Sequence, residues 1–220
     1  MKKVFLDTNI LIAYVFFLNS LHLKSQIVFD EYDELFLSYF VQYEFNRRYM
    51  IKEKHIISFF NDLQKYFESP EKEFYSAYDL KKFVLNTYSG KFMKDAESSI
   101  GPFWNQYFGI ETQMSFFEIK NAIVYCLNDL SITSNRYKKY LKQSVNLTPK
   151  RIRKYSHIDK MLENEGVKPA DRNVILDGHD FACFSVDSVD FVTFDFDCFN
   201  GAKNIGTLCF DSIKGKFDFN

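Results

Sequence analysis

Six acidic residues stand where a carboxylate can do chemistry: Asp7, Glu44, Asp177, Asp180, Asp195 and Asp197. Asp7 directly follows the apolar run Val4-Phe5-Leu6, and Asp195 and Asp197 follow Phe191-Val192-Thr193-Phe194. Such runs read as buried strands, and the carboxyl ends of strands in open parallel α/β sheets are where ligands bind. Glu44 falls in the first turns of the helix expected after Glu34–Tyr39. Asp177 falls at the expected start of a later helix, with Asp180 one turn on. Each acid is therefore at a strand end or a helix start, and each can face the same sheet edge. Carboxylates converging in low dielectric repel one another unless cations bind between them or some are protonated or solvated. Oxygen donors without Cys or His companions suit Mg²⁺ or Mn²⁺. Ions held in this way activate water and stabilise the leaving oxygen in phosphodiester hydrolysis. Any one of these acids, taken singly, is more readily explained as a turn former or helix cap; it is their joint placement that points to chemistry.

The elements that must position them follow from the hydrophobic pattern. A strand over Val4–Leu6 leads into a helix from about Ile10 to Lys24, capped by Asp7-Thr8-Asn9. A second strand, Glu34–Tyr39, precedes a helix from about Val41 that holds Tyr43, Glu44, Asn46 and Arg47. Ser69-Pro70, Ser89-Gly90, Gly101-Pro102, Gly109 and Thr148-Pro149 punctuate a long middle that is helical between the breaks. After Gly166 a helix is expected over Asp177–Val186, a strand over Phe191–Phe194 and another over Ile205–Phe210. Strands at both ends and helices between them describe one α/β sheet carrying a helical insertion. The expected organisation is a single domain over residues 1–220, with its sheet drawn from about 1–50 and 170–220 and the insertion over about 51–169.

Composition narrows the classes. The chain has 220 residues, 46% hydrophobic and 19% aromatic, with only 8 Gly and 4 Pro, which argues against collagen-like, loop-rich or disordered chains. With 28 basic against 29 acidic residues it is no generic polycation, so nucleic-acid binding must rest on local charge. Cys126, Cys183, Cys198 and Cys209 include no C-x-x-C pair, and neither they nor the four histidines have zinc-ligand spacing. The apolar run Ile10–Leu18 is about half of what crosses a bilayer. A cytoplasmic, non-membrane protein is the expectation.

Val4-Phe5-Leu6-Asp7-Thr8-Asn9-Ile10-Leu11-Ile12 resembles the opening of a PIN domain nuclease, and Phe191-Val192-Thr193-Phe194-Asp195-Phe196-Asp197 resembles that family's strand, threonine and acid motif. The likeness covers roughly the first and last 50 residues. It implies a three-layer α/β/α fold with a mainly parallel sheet, and Mg²⁺ or Mn²⁺ held by Asp7, Glu44, Asp177 and Asp195. Asp180 competes with Asp177 for the third position, Asp197 stands in reserve, and Glu53 is a fallback for Glu44. Thr8 or Asn9 would orient the first carboxylate, and Thr193 would hydrogen-bond near the metal or the attacking water. The family's activity would be endoribonuclease cleavage, and its compact bacterial members are often toxins held by an antitoxin, which would make an antitoxin protein a partner. RNA and a second copy of the chain are the other partners entertained. Two departures stand out: Glu44 and Asp177 are 133 residues apart, and bulky Phe181 and Phe184 follow where small residues are usual.

Between Ser131 and Lys160 lie nine basic residues and one acid, Asp159. Arg136, Lys138, Lys139, Arg151, Arg153 and Lys154 carry most of this charge, with Tyr137, Tyr140 and Tyr155 interleaved. Cations neutralise phosphates and tyrosines stack unpaired bases, so the run can serve as an RNA track; a solvated basic helix face is the competing account. His179, between two acids, is better explained as a core or capping histidine. Two rival functions remain to be weighed. A haloacid-dehalogenase-type phosphatase fails because its Asp-x-Asp opens the chain, whereas only 23 residues follow Asp197 here. A non-catalytic RNA-binding or scaffold protein retaining the fold is the alternative from another class.

Overall fold

Lys3–Leu6 form β1, in which Val4, Phe5 and Leu6 are fully buried, as an unbroken apolar run demands of a strand covered on both faces. The computed structural model describes residues 1–67, 73–88, 93–110, 113–208 and 214–215. After β1 come α1 (Thr8–Val15), α2 (His22–Glu31), β2 (Glu34–Leu37) and α3 (Tyr39–Gln64). The middle holds β3 (Glu73–Phe74), α4 (Ala77–Thr87), α5 (Met93–Tyr107), β4 (Met114–Ser115) and α6 (Phe116–Ser144). β5 (Val145–Leu147), α7 (Ser156–Asn164), α8 (Pro169–Phe184), β6 (Val189–Val192), α9 (Phe196–Leu208) and β7 (Lys214–Gly215) follow.

The chain is mixed α/β. Its main sheet has the order β5-β2-β1-β6-β7, and each of its pairings is parallel. Phe5 lies opposite Phe36 on one side and Phe191 on the other. Chain order moves outward from β1 to β2 and β5 in one direction and to β6 and β7 in the other. The gap between β1 and β6 is therefore a topological switch point, where loops diverge and leave a crevice.

Two compact units divide the chain. The first comprises Met1–Ile12, Lys24–Arg47 and Lys139–Asn220 and contains the main sheet. Phe5 stacks on Phe191 with centroids 6.0 Å apart, and Phe36 meets Phe181 at 4.6 Å. Gly178 lets α8 come close to these rings: a Cβ there would sit 3.2 Å from Phe5 and 3.3 Å from Phe191. The second unit comprises Ala13–Leu23 and Arg48–Lys138. Its core is aromatic, with Phe67, Phe74, Phe83 and Phe116 in mutual ring contact and Phe60 against Phe103. The antiparallel pair β3–β4 belongs to it.

Several boundaries differ from the sequence expectation, each for a local reason. The helix expected from Ile10 to Lys24 is broken into α1 and α2, because the Asn19 side chain accepts from the Leu21 amide and its own amide donates to the Phe16 carbonyl. The later helix begins at Pro169, not Asp177, since proline at the first position presets the helical φ. Residues 205–208, expected as strand, continue α9, while Cys209 and Phe210 lie outside the described residues. The insertion expected over 51–169 surrenders its last part: β5 joins the sheet, and Lys139 onward belongs to the first unit. Gly101-Pro102 lies inside α5 and does not end it, whereas Ser69-Pro70 and Ser89-Gly90 fall outside the described residues.

Candidate functional site

The main chain of β1 continues one residue past the strand, with the Asp7 amide donating to the Val192 carbonyl at 3.1 Å. That places Asp7 at the switch point, at the base of α1. Its side chain is 4% exposed. Oδ1 accepts from the Thr8 amide at 2.5 Å, and Oδ2 accepts from the Thr193 hydroxyl at 2.6 Å. Thr193 in turn accepts from Asn9 Nδ2 at 2.9 Å and from the Asp195 amide at 3.0 Å. Asn9 Oδ1 takes the Phe194 amide, so the first and last motifs are laced together by side chains. Thr8, Asn9 and Thr193 hold the first carboxylate in one orientation.

Glu44 is buried on the inner face of α3 and accepts from the Thr8 hydroxyl at 2.6 Å. Thr8 therefore bridges the two acids, its amide to Asp7 and its hydroxyl to Glu44. Burial pushes the Asp7 carboxyl up to about 7; the Thr193 and Thr8 hydrogen bonds oppose this, and the charges of Asp171 and Glu44 add to it. Asp171 is the residue that sequence reasoning missed. It lies in the first turn of α8, and its charge also acts on the buried Cys198 together with those of Asp7 and Asp195. The available signal was Pro169, which marks the helix start two residues earlier.

Asp195 lies just before α9 and caps it, Oδ1 accepting from the Asp197 and Cys198 amides at 3.0 Å each. Asp197 is exposed in the first turn of α9. Asp177 belongs to a different group. Arg151 Nε reaches its Oδ1 at 3.2 Å, and Ser38 hydrogen-bonds it; burial still raises its carboxyl, against the pull of both partners. Asp180 accepts from the Tyr155 hydroxyl at 2.8 Å. His179 is buried, with the Tyr155 ring edge-on at 4.7 Å, and burial lowers its imidazole. Glu53 lies in the second unit, where it accepts from the Tyr49 hydroxyl.

The acids thus divide into two sets. Asp7 is tied to Glu44 through Thr8 and feels the charge of Asp171, while Asp195 joins through its main-chain amide to Thr193 and acts with Asp7 and Asp171 on Cys198. Asp177 and Asp180 anchor the loop that follows β5. The first set offers oxygen donors alone, the donor chemistry a hard divalent cation takes, and the named charges acting on buried Asp7 are both negative. Among the described residues, no three His, Cys, Asp or Glu side chains already stand as a metal-holding group.

Of the expected RNA-binding residues, Arg151, Arg153 and Lys154 lie on the loop after β5, which leaves the sheet at its carboxyl edge as Asp7 and Thr193 do. Arg153 and Lys154 are exposed, Arg153 lying 5.1 Å from the Phe184 ring, and Arg151 is held by Asp177 and Asn173. Lys139 is exposed on α6 in the first unit. Arg136 and Lys138 belong to the second unit, where Lys138 sits 4.0 Å over the Tyr49 ring. No helix among the described residues is long and apolar enough to cross a membrane. Protein-family models, curated proteins and solved structures give no match to this chain.

Proposed function

We propose that the chain is a metal-dependent ribonuclease with a PIN-like, three-layer α/β/α fold. The observation that carries the proposal is Asp7: a buried carboxylate at the switch point of a parallel sheet, fixed by Thr193, tied through Thr8 to Glu44, and burdened further by Asp171. Acids gathered there are relieved by a retained proton or by a bound cation, and at neutral pH, where Asp7 begins to lose its proton, a cation supplies that relief.

In this reading Asp7, Glu44 and Asp171 would hold Mg²⁺ or Mn²⁺, with Asp195 joined to them through Thr193; Asp177 and Asp180 instead hold Arg151 and Tyr155, and Asp197 is exposed. The bound ion supplies an activated water and charge compensation at the phosphate. The protein's own part is positional. Thr193 and the Thr8 amide fix both oxygens of Asp7, and the Thr8 hydroxyl fixes Glu44. Attack of a water on phosphorus opposite the P–O3′ bond would break that bond, the departing 3′ oxygen taking up a proton in place of the one the water loses, and would leave 5′-phosphate and 3′-hydroxyl ends. Arg153 and Lys154 neutralise flanking phosphates. An antitoxin partner belongs to the same proposal, carried by the resemblance alone; a homodimer and a cytoplasmic location are proposed beside it, the latter from the unpaired spacing of the cysteines and the short apolar run.

The test is cleavage of labelled single-stranded RNA with Mn²⁺ or EDTA, beside Asp7→Asn. Metal-dependent cutting that disappears in the variant is expected. If wild type and variant are equally inert while both bind RNA, the chain is a binding protein and the nuclease proposal fails. Thermal stability read with and without Mn²⁺ separates the two again, since a scaffold gains nothing from the ion.

A further inference from the structure

Beside the acidic cluster runs a surface to which the sequence assigned no role. Tyr39 and Tyr43 stand one helical turn apart at the start of α3, 48% and 72% exposed, and Arg47 is exposed a further turn on. Residues spaced by four share a helix face, so the three form a stripe. Glu44, adjacent to Tyr43, turns inward to Thr8. Lys150, on the loop after β5, places its ammonium 5.6 Å from the Tyr39 ring centroid. α3 follows β2 and the Lys150 loop follows β5, two neighbouring parallel strands, so stripe and lysine lie at the same sheet edge as Asp7.

The two exposed rings lie side by side, flanked by Lys150 at one end and Arg47 at the other, next to buried carboxylates. Aromatic faces beside Lys and Arg are what an unpaired nucleic-acid strand needs: a ring for each base and a cation for each phosphate. A duplex offers the phosphates but keeps its bases stacked inside. An acidic or apolar peptide would use one half of the stripe and leave the other unmatched.

We propose that Tyr39, Tyr43, Arg47 and Lys150 form a stacking track for single-stranded nucleic acid that leads to the Asp7–Glu44 cluster. The inference rests on the nuclease reading for the purpose of the track, but its binding chemistry can be measured without catalysis. The experiment measures fluorescence anisotropy of labelled oligoadenylate RNA, an abasic oligomer with the same number of phosphates, and an RNA duplex, each with the Asp7→Asn chain in EDTA. The single strand should bind more tightly than the other two. Tyr43→Ala and Tyr39→Ala should each weaken the single strand by roughly tenfold, leave the abasic oligomer within about twofold, and be rescued by Phe at the same position. Equal binding of all three probes, no effect of the alanines, or failure of Phe to rescue would each overturn the track. Cleavage is scored separately in wild type with Mn²⁺. A track that binds as described in a chain that never cuts would sink the nuclease and leave the track standing; cutting without any tyrosine effect would do the reverse.

Discussion

Asp7 should make the metal-free protein sensitive to pH in a direction opposite to most carboxylates. An ordinary Asp ionises near 3.8, whereas burial moves Asp7 to about 7. Between those values the folded chain keeps a proton that the unfolded chain has released. Stability therefore falls as pH rises through that window, and the full contribution is present only below it. Asn cannot ionise, so Asp7→Asn removes this term while keeping the shape. In EDTA, urea unfolding from about pH 4 to about pH 8 should show a steeper loss for wild type than for the variant, with the variant ahead by about 1–3 kcal/mol at the upper end. Parallel curves would mean that the carboxylate is solvated and carries no strain for a cation to relieve. Thr193 fixes that carboxyl, because its hydroxyl donates to Asp7 and accepts from Asn9 and the Asp195 amide. Valine there would keep the volume and lose the orientation.

The elements decide which acids meet. α8 carries Asp171 in its first turn and Asp177 and Asp180 further along, and they have different neighbours: the charge of Asp171 acts on Asp7, while Asp177 and Asp180 hold Arg151 and Tyr155. Asp171→Asn should abolish Mn²⁺-dependent thermal stabilisation, as loss of a ligand does. Asp177→Asn should keep that stabilisation but weaken RNA binding, because it releases Arg151 and with it the loop from Thr148 to Tyr155. The opposite pattern would restore Asp177 to the metal and leave Asp171 a helix-start charge. Much of this layout was legible in the sequence. Val4–Leu6 and Phe191–Val192 are apolar runs that end in Asp7 and in Thr193-Phe194-Asp195, and only parallel pairing of the two strands brings those ends together. The start of α8 was marked only by Pro169, and a proline opens a helix or interrupts a loop with equal ease, whereas the spacing of Asp177 to Asp195 matched the PIN likeness. β5 was not legible: Val145-Asn146-Leu147 is too short and too polar to read as a strand, and it exists because the ladder of β2 receives it.

Charge over the 220 residues is balanced to a net of −1, yet it is not evenly spread. A polyanion gains little from such a protein on average, so its binding must be local, and local binding has a countable salt dependence. Lys150, Arg151, Arg153 and Lys154 fall within the loop that leaves β5 at the acidic edge, where Arg151 is already paired with Asp177 and the others reach solvent. If Arg153 and Lys154 each neutralise one phosphate of a single strand, each should contribute about 0.7 to the slope of log affinity against log salt. The double change Arg153→Gln, Lys154→Gln should then lower that slope by about 1.4 and weaken binding most at low salt. Changing Lys81 and Lys82 to Gln, on α4 in the second unit, gives the control of equal charge. A protein that held RNA by diffuse attraction would respond alike to both pairs. A protein with a site responds to the loop alone, and the slope then counts the phosphates that lie along it.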